Sequence, residues 1–399
     1  MAANEVHSDV QEYYGKELKS KDDLKTNACT TSGAKMSLRV KQALALCHEE
    51  VITKFYGCGV VFPQAPEGCT VLDLGCGTGR DCFVLSKLVG PTGHVTGVDM
   101  TPEQLEVARR HTDYHMKQFG HASCNVNFFQ GYIEKLETIG IKDNSFDVAI
   151  SNCVINLVPD KEAVFREVYR VLKPGGELYF SDVYSSLPVT EELRRDKVLW
   201  GECISGALEW RQLMKVATEI GFAPPVLVEA SPLTVNNEDL ERKLGDFKFC
   251  SATYRIFKID VAKERSCEHV EQVSYKGTIP DHEDCFQFAY NISISVCQPT
   301  VMSSSMASLL KRSRYAPHFT FQQVDTPPEG PVPALSDCIT VNPFELRRLL
   351  MKMDCEWRLI EWSALLGQAV NSSVELVSSN PWELSDVLFV SGSVEVVVT

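Results

Sequence analysis

The 399-residue chain predicts an α/β fold: a doubly wound, mostly parallel sheet followed by a smaller α+β domain. Three observations carry that expectation. Short apolar runs alternate with amphipathic stretches of ten or more residues, the rhythm of βα units. A glycine-rich loop, "LGCGTG", ends the first run and opens a helix. The alternation stops near residue 260, and short mixed segments with a proline-rich "TPPEGPVP" follow.

In order, residues 1–66 form a polar arm in which "LRVKQALALCHEEVITKFYG" has a helical apolar period. "FPQAPEG" breaks the chain. "TVLDLG" is a buried strand, and a helix runs from Arg80 to Leu88. "HVTGVDM" is the second strand. "TPEQLEVARRHTDYHMKQFG" is a helix with Thr101 as N-cap, Pro102 at its first position and Gln104 completing a capping box. "NVNFFQG" and "FDVAISN" are strands. "KEAVFREVYRVLKPGG" is a helix stopped by Pro174 and two glycines. "GELYFSDV" is a strand, "EWRQLMKVATEIG" a helix and "TYRIFKI" a late strand. The domains are then the arm at 1–66, the sheet domain at 67–260, a small C-terminal domain at 261–350, and a divergent, poorly ordered tail at 351–399.

A net charge of −14 argues against a protein that tracks nucleic-acid phosphates. The N-terminus lacks the apolar core of a signal peptide, and no apolar stretch reaches membrane-spanning length. The expectation is a soluble, cytoplasmic monomer with no nucleic-acid or membrane partner. In a reducing compartment its 15 cysteines are not a disulfide framework. None of the close pairs has the CxxC spacing of a zinc site.

The loop "VLDLGCGTGRD" reads GxGxG, with no GK[ST], and Asp73 precedes it. Gly75, Gly77 and Gly79 permit a tight turn and close approach of a ligand, and Asp99 ends the next strand where it can accept from a ribose diol. These residues resemble the class I S-adenosylmethionine (SAM) methyltransferases, whose fold is Rossmann-like. "VLDLGCGTG" matches their first motif, "VTGVDM" their second and "LKPGG" their turn before the fifth strand. The resemblance assigns cofactor contacts to Asp73, Gly75, Cys76, Gly77, Gly79, Asp99, Met100, Ile133, Glu134 and Asn152.

Methyl transfer is an in-line displacement that needs the nucleophile held at near-attack distance. Cys153, in "SNCVINLVPDK", stands at the fourth strand end, where an acid or amide usually stands. A thiol is a poor general base there but a good soft ligand. Cys203 in "WGECISGAL", Cys58 in "FYGCG" and Cys29 in "TNACTTSG" add three more. With "VQEYYGKELK", "CHEEVITKFYGCG", "KVLWGEC" and "LERKLGDFKF", the chain from about residue 9 to about 350 resembles the animal arsenite methyltransferases. That resemblance implies methyl transfer from SAM to thiol-bound arsenite and methylarsenite, with Cys58, Cys153 and Cys203 as arsenic ligands and no resident metal. It implies a Cys29–Cys58 disulfide that returns arsenic to the trivalent state, with thioredoxin or glutathione as reductant. Two other readings remain: a SAM methyltransferase of a quinone- or sterol-like acceptor, and a non-catalytic thiolate protein that binds a metalloid. The remaining cysteines, Cys76 and Cys82 beside the loop among them, read as packing.

Overall fold

The apolar runs become strands in a computed structural model, which describes residues 3–18, 23–24, 26, 36–235, 237–261, 269–325, 330 and 332–345. They are β1 (Thr70–Leu74), β2 (His94–Asp99), β3 (Val126–Gln130), β4 (Phe146–Asn152), β5 (Leu172–Ser185), β6 (Leu208–Glu209), β7 (Val226–Leu233) and β8 (Phe249–Phe257). Their order is β3-β2-β1-β4-β5-β8-β7, with the short β6 beside β5. All pairings among β1–β6 are parallel, and β8 runs antiparallel to both its neighbours. The strand order reverses at β1, which lies between β2 and β4. Loops leaving β1 and β4 therefore diverge to opposite faces and open a crevice at their carboxyl ends. The fold is the expected doubly wound sheet.

The central strands β1, β2 and β4 bury both faces. Leu72 and Leu74 pack with Val164, Phe165 and Leu213 from the helices Lys161–Val171 and Trp210–Ile220. Val71 packs on the other side with Phe83 and Leu105, from the helices Arg80–Val89 and Pro102–Arg110. This double burial is why the strands read as continuous apolar runs rather than alternating ones.

Four local features differ from the sequence expectation. The first long helical period divides into Leu38–Ala45 and Glu49–Thr53, because His48 caps the second piece and its Nδ1 accepts from Glu50 N at 3.2 Å. The helix after Thr101 divides at His111 into Pro102–Arg110 and Thr112–Phe119. Its capping box does not form: Asp99 Oδ1 accepts from Thr101 N at 2.8 Å, and the Gln104 amide donates to Tyr14 O at 2.8 Å. "LKPGG" lies within β5, where a shift of register between Phe146 and Val148 absorbs the proline and glycines. The edge strand β7 has no counterpart in the sequence reading.

After β8 the chain adds β9 (Val270–Tyr275), the hairpin β10 (Cys285–Ala289) and β11 (Ile292–Ser295), then β12 (Thr300–Ser303), a helix Ser304–Lys311 and β13 (Phe319–Val324). β9 is the centre of an antiparallel sheet between β12 and β13. A buried charge cluster joins this region to the main sheet. Glu177 of β5 and Arg255 of β8, both fully buried, lie 3.6 Å apart, and Glu177 also takes Arg314 at 2.5 Å and the Tyr315 hydroxyl at 3.2 Å. Both arginines continue to Gln64, Arg255 to its side chain and Arg314 to its carbonyl, each at 2.9 Å. Removing one member of such a buried group costs about 3–5 kcal/mol. No helix among the described residues is long and apolar enough to cross a membrane.

Candidate functional site

A cleft opens at the carboxyl ends of β1, β2 and β4, the usual ligand position of a doubly wound sheet. Asp73, Gly75, Cys76, Gly77, Asp99, Met100, Ile133, Glu134, Asn152 and Cys153 all line it. Gly75 has φ 72°, and a side chain there would collide with Val154. The loop is held from beneath: Gly75 N and Cys76 N donate to Val98 O at 2.7 and 3.0 Å, and Gly77 N donates to Asp99 Oδ2 at 2.9 Å. Asp99 thus accepts from the loop and from Thr101 while lining the cleft. Burial raises its pKa, and the backbone bonds oppose the rise. Asp73 is pushed up to about 8 by burial, reinforced by the nearby Asp81. Gly79 does not line the cleft. At φ 80° it starts the following helix, and its bare α-carbon packs against Phe128 and Ala108.

The arm closes one side. His7 Nε2 lies 2.8 Å from Glu134 Oε1, Gln11 donates to Met100 O at 2.7 Å, and Tyr14 O takes Gln104. Two buried polar atoms among the lining residues, Gln104 Oε1 and the Tyr56 hydroxyl, have no partner among the described residues. A cleft with unsatisfied polar atoms, a glycine-rich loop and a buried carboxylate fits an adenosyl ligand such as SAM.

Three predicted cysteines meet beside this cleft, in one apolar cluster with Trp200, Ile204 and Val183. Cys153 follows β4, and its N–H donates to Ser181 O at 2.8 Å. Cys58 lies across the sheet: its carbonyl accepts from Ser251 Oγ at 3.1 Å, and its sulfur is 3.5 Å from Ser181 Oγ. Cys203 donates from Sγ to Cys153 O at 3.1 Å. Cys153 and Cys203 both have left-handed backbones, φ 58° and 63°, which cost a non-glycine residue about 1–2 kcal/mol. The sulfurs of Cys58 and Cys153 are joined in a disulfide. A sulfur carries one disulfide at a time, so the expected Cys29–Cys58 bond is not the one held here. Cys29 itself, like the 351–399 tail, lies outside the described residues.

Asn152 serves the cysteine segment directly. Its carboxamide accepts from Gly59 N at 3.1 Å and donates to Gly59 O at 3.0 Å, a two-point clasp that seats 57–59 on the sheet. A side chain at Gly59 would collide with Ser181, and one at Gly57 with Asn152 and Phe55.

Comparison with known proteins bears on this arrangement. The methyltransferase-domain family matches residues 66–221, and the arsenite methyltransferase C-terminal domain matches 268–358. The human arsenite methyltransferase is 49% identical over 347 residues, 86% of this chain and 91% of its own. The chain belongs to the arsenite methyltransferase family. A bacterial member from Aquipseudomonas alcaligenes is 49% identical over 79% of this chain and 90% of its own. The crystal structure of an arsenic(III) SAM methyltransferase from Chlamydomonas reinhardtii superposes with a TM-score of 0.69 at 42% identity, covering 73% of this chain and 98% of that one.

Sequence reading missed part of the site of this arsenite methyltransferase family member. His7, Tyr14, Tyr56 and Gln104 line the cleft. The apolar spacing of "VHSDVQEYY" was the one signal for His7 and Tyr14, and Tyr56 and Gln104 had none. Glu202 is fully buried. It accepts from the Tyr13 hydroxyl at 2.5 Å and from Thr26 N and Oγ1 at 2.9 and 2.6 Å, fastening the arm next to Cys203.

Proposed function

We propose that this enzyme transfers methyl groups from SAM to arsenite and methylarsenite held by Cys58, Cys153 and Cys203. The observation that carries the reading is the meeting of these three cysteines at the end of β4, with Cys153 lining the cleft that fits the donor. When bound, SAM supplies a sulfonium methyl open to in-line displacement by the arsenic lone pair. Gly75, Gly77 and Asp99 would hold its nucleoside and methionine parts, with Met100, Ile133 and Glu134 on the adenine side.

The residues of the chain do the rest. Three thiolates hold trivalent arsenic as a pyramid with its lone pair outward, so no general base is needed. The Asn152 clasp and the Ser181 and Ser251 contacts fix Cys58, and hence the direction of that lone pair. Transfer leaves arsenic formally pentavalent. Two thiolates supply the two electrons that restore it, and their sulfurs end joined as a disulfide. The family resemblance gives that pair as Cys29 and Cys58; the bond present here joins Cys58 to Cys153, and Cys58 is common to both. Thioredoxin or glutathione then regenerates the thiols by exchange.

The test is single-turnover transfer with methyl-labelled SAM, arsenite and reductant, with products separated by chromatography. Labelled monomethylarsenic is expected from the wild type with arsenite, and labelled dimethylarsenic with methylarsenite, with a loss of at least about a hundredfold in Cys153→Ser, as for removal of a positioned reacting group. Protein isolated with the Cys58–Cys153 bond intact should show no transfer until a thiol is added. Transfer at an unchanged rate in Cys153→Ser would sink the ligand assignment. Labelled product on a quinone or sterol, with none on arsenic, would replace the substrate.

A further inference from the structure

Cys76 and Cys82 form a second dithiol beneath the donor cleft. Cys76 stands between Gly75 and Gly77 and lines the cleft with 8% of its surface exposed, while Cys82, on the helix that follows, is fully buried. Cys76 Sγ lies 3.9 Å from Gly77 O, to which it can donate. A side-chain carbon on Gly97 would lie 2.8 Å from both sulfurs, so the pair rests together on the bare backbone of β2. Cys82 Sγ donates onward to Asp73 Oδ2 at 3.1 Å. The methyl-transfer reading uses neither sulfur.

We infer that Cys76 and Cys82 are a second binding site for trivalent arsenic, and that its occupation excludes the methyl donor. The chemistry is ligand exchange without redox change. As(OH)₃ and two thiols give As(OH)(S–Cys)₂ and two waters: two As–O bonds break, two As–S bonds form, and each thiol proton leaves on a departing hydroxide. Asp73 is placed to relay the proton of Cys82. Cys76 is the entry point because it alone of the two meets the cleft. Binding forms a covalent bridge between a loop residue and a helix residue and takes the Cys82 thiol from Asp73. The loop that would lie against the donor is then displaced from its present position, and the arsenical itself occupies the floor of the cleft. The enzyme would be restrained by its own substrate at a site apart from the catalytic thiols. The inference rests on the reading above only for the presence of arsenic; the bridge can be detected whether or not methyl transfer occurs.

The probe is phenylarsine oxide, which takes two thiols, added to the reduced full-length chain. Trypsin cuts after Arg80, between the two cysteines, and leaves Cys82 alone in the peptide 81–87. Mass spectrometry is expected to find 81–87 joined through one phenylarsenic group to 55–80, the peptide that carries Cys58, Cys69 and Cys76. The joined species should vanish in Cys76→Ser and fall when SAM is bound first. In calorimetry, the apparent Kd for SAM should rise about tenfold at an arsenical concentration ten times its own Kd, as mutual exclusion requires. A wild-type digest without the joined peptides overturns the site, as does their persistence in Cys76→Ser. Joined peptides with an unchanged SAM affinity overturn the exclusion. The wild-type digest decides even where Cys76→Ser does not fold.

Discussion

Substituting Asn152 with alanine removes the clasp on Gly59 while leaving every cysteine in place. Both bonds, at 3.1 and 3.0 Å, are buried, and their backbone partners have no water to turn to. An unpaired buried donor or acceptor costs about 1–3 kcal/mol. Two such groups, allowing for partial relaxation, give about 2–4 kcal/mol. The whole domain has about 5–15 kcal/mol of stability, so it stays folded. The loss falls on the local opening of 57–59, which should become roughly 30- to 1,000-fold more frequent. The assay is native-state hydrogen exchange of the Gly59 amide in reduced protein, alongside single-turnover methyl transfer. Exchange and transfer should move together, exchange accelerating and transfer slowing, while SAM affinity changes little. Asn152→Asp keeps the acceptor for Gly59 N, loses the donor to Gly59 O and sets a carboxylate near Asp81, to which Asn152 now donates at 3.3 Å. It should expose the segment as well. A slowed transfer with Gly59 exchange within about threefold of wild type would refute the clasp and return Asn152 to the cofactor role first assigned to it.

Three further outcomes follow from geometry already described. Glu202→Gln weakens the charge-assisted bonds to Tyr13 and Thr26, each worth about 1.5–3 kcal/mol, and should make release of the N-terminal helix by limited trypsin at least tenfold faster; an unchanged digest would dismiss the fastening role. Glu177→Gln leaves Arg255 and Arg314 without their anion and should lower stability by about 3–5 kcal/mol in urea unfolding; a loss below 1 kcal/mol would show that the charges are not a working unit. Burial raises the Asp73 carboxyl to about 8, so the folded protein holds that proton more tightly than the unfolded chain does. The resulting stability is complete below the ordinary carboxylate range near pH 4 and is lost as pH rises through about 8, with a slope of at most about 1.4 kcal/mol per pH unit. Thermal unfolding of the ligand-free protein at pH 5, 6 and 7 should follow that direction, and Asp73→Asn should flatten it; identical slopes in the two proteins would contradict the assignment.

The sheet was legible because buried parallel strands are long apolar runs, and the lining of the cleft because a glycine loop and a strand-end acid occur together. The dividing of two helices was not legible, since His48 and His111 have ordinary helical neighbours and act through capping geometry. β7 escaped because an edge strand containing Pro232 has little of the apolar continuity of a central one. The cysteines could be named, but their partners could not. Which sulfur meets Cys58 depends on how 57–59 crosses the sheet, and the sequence between residues 58 and 153 does not encode that locally. The left-handed backbones at Cys153 and Cys203 run against propensity, which favours glycine or asparagine there. Local rules fail most often where a fold holds a residue for its chemistry. Asn152 is a milder case: the resemblance placed it by the donor, and the structure adds a second use for its amide.

The bare residues around Cys58 supply a criterion for sorting other chains. Gly57 and Gly59 let that segment lie flat, with the sulfur as its one side chain, and Ser181 is small enough to lie beneath it. A related chain could keep the glycine loop, Asp99 and even all four cysteines, yet carry a side chain at either glycine. It would retain the cleft and lose the seat for one of the three cysteines proposed to hold arsenic. In genome surveys, counting cysteines would misfile such a chain as an arsenic enzyme, whereas reading the two neighbours of Cys58 would not.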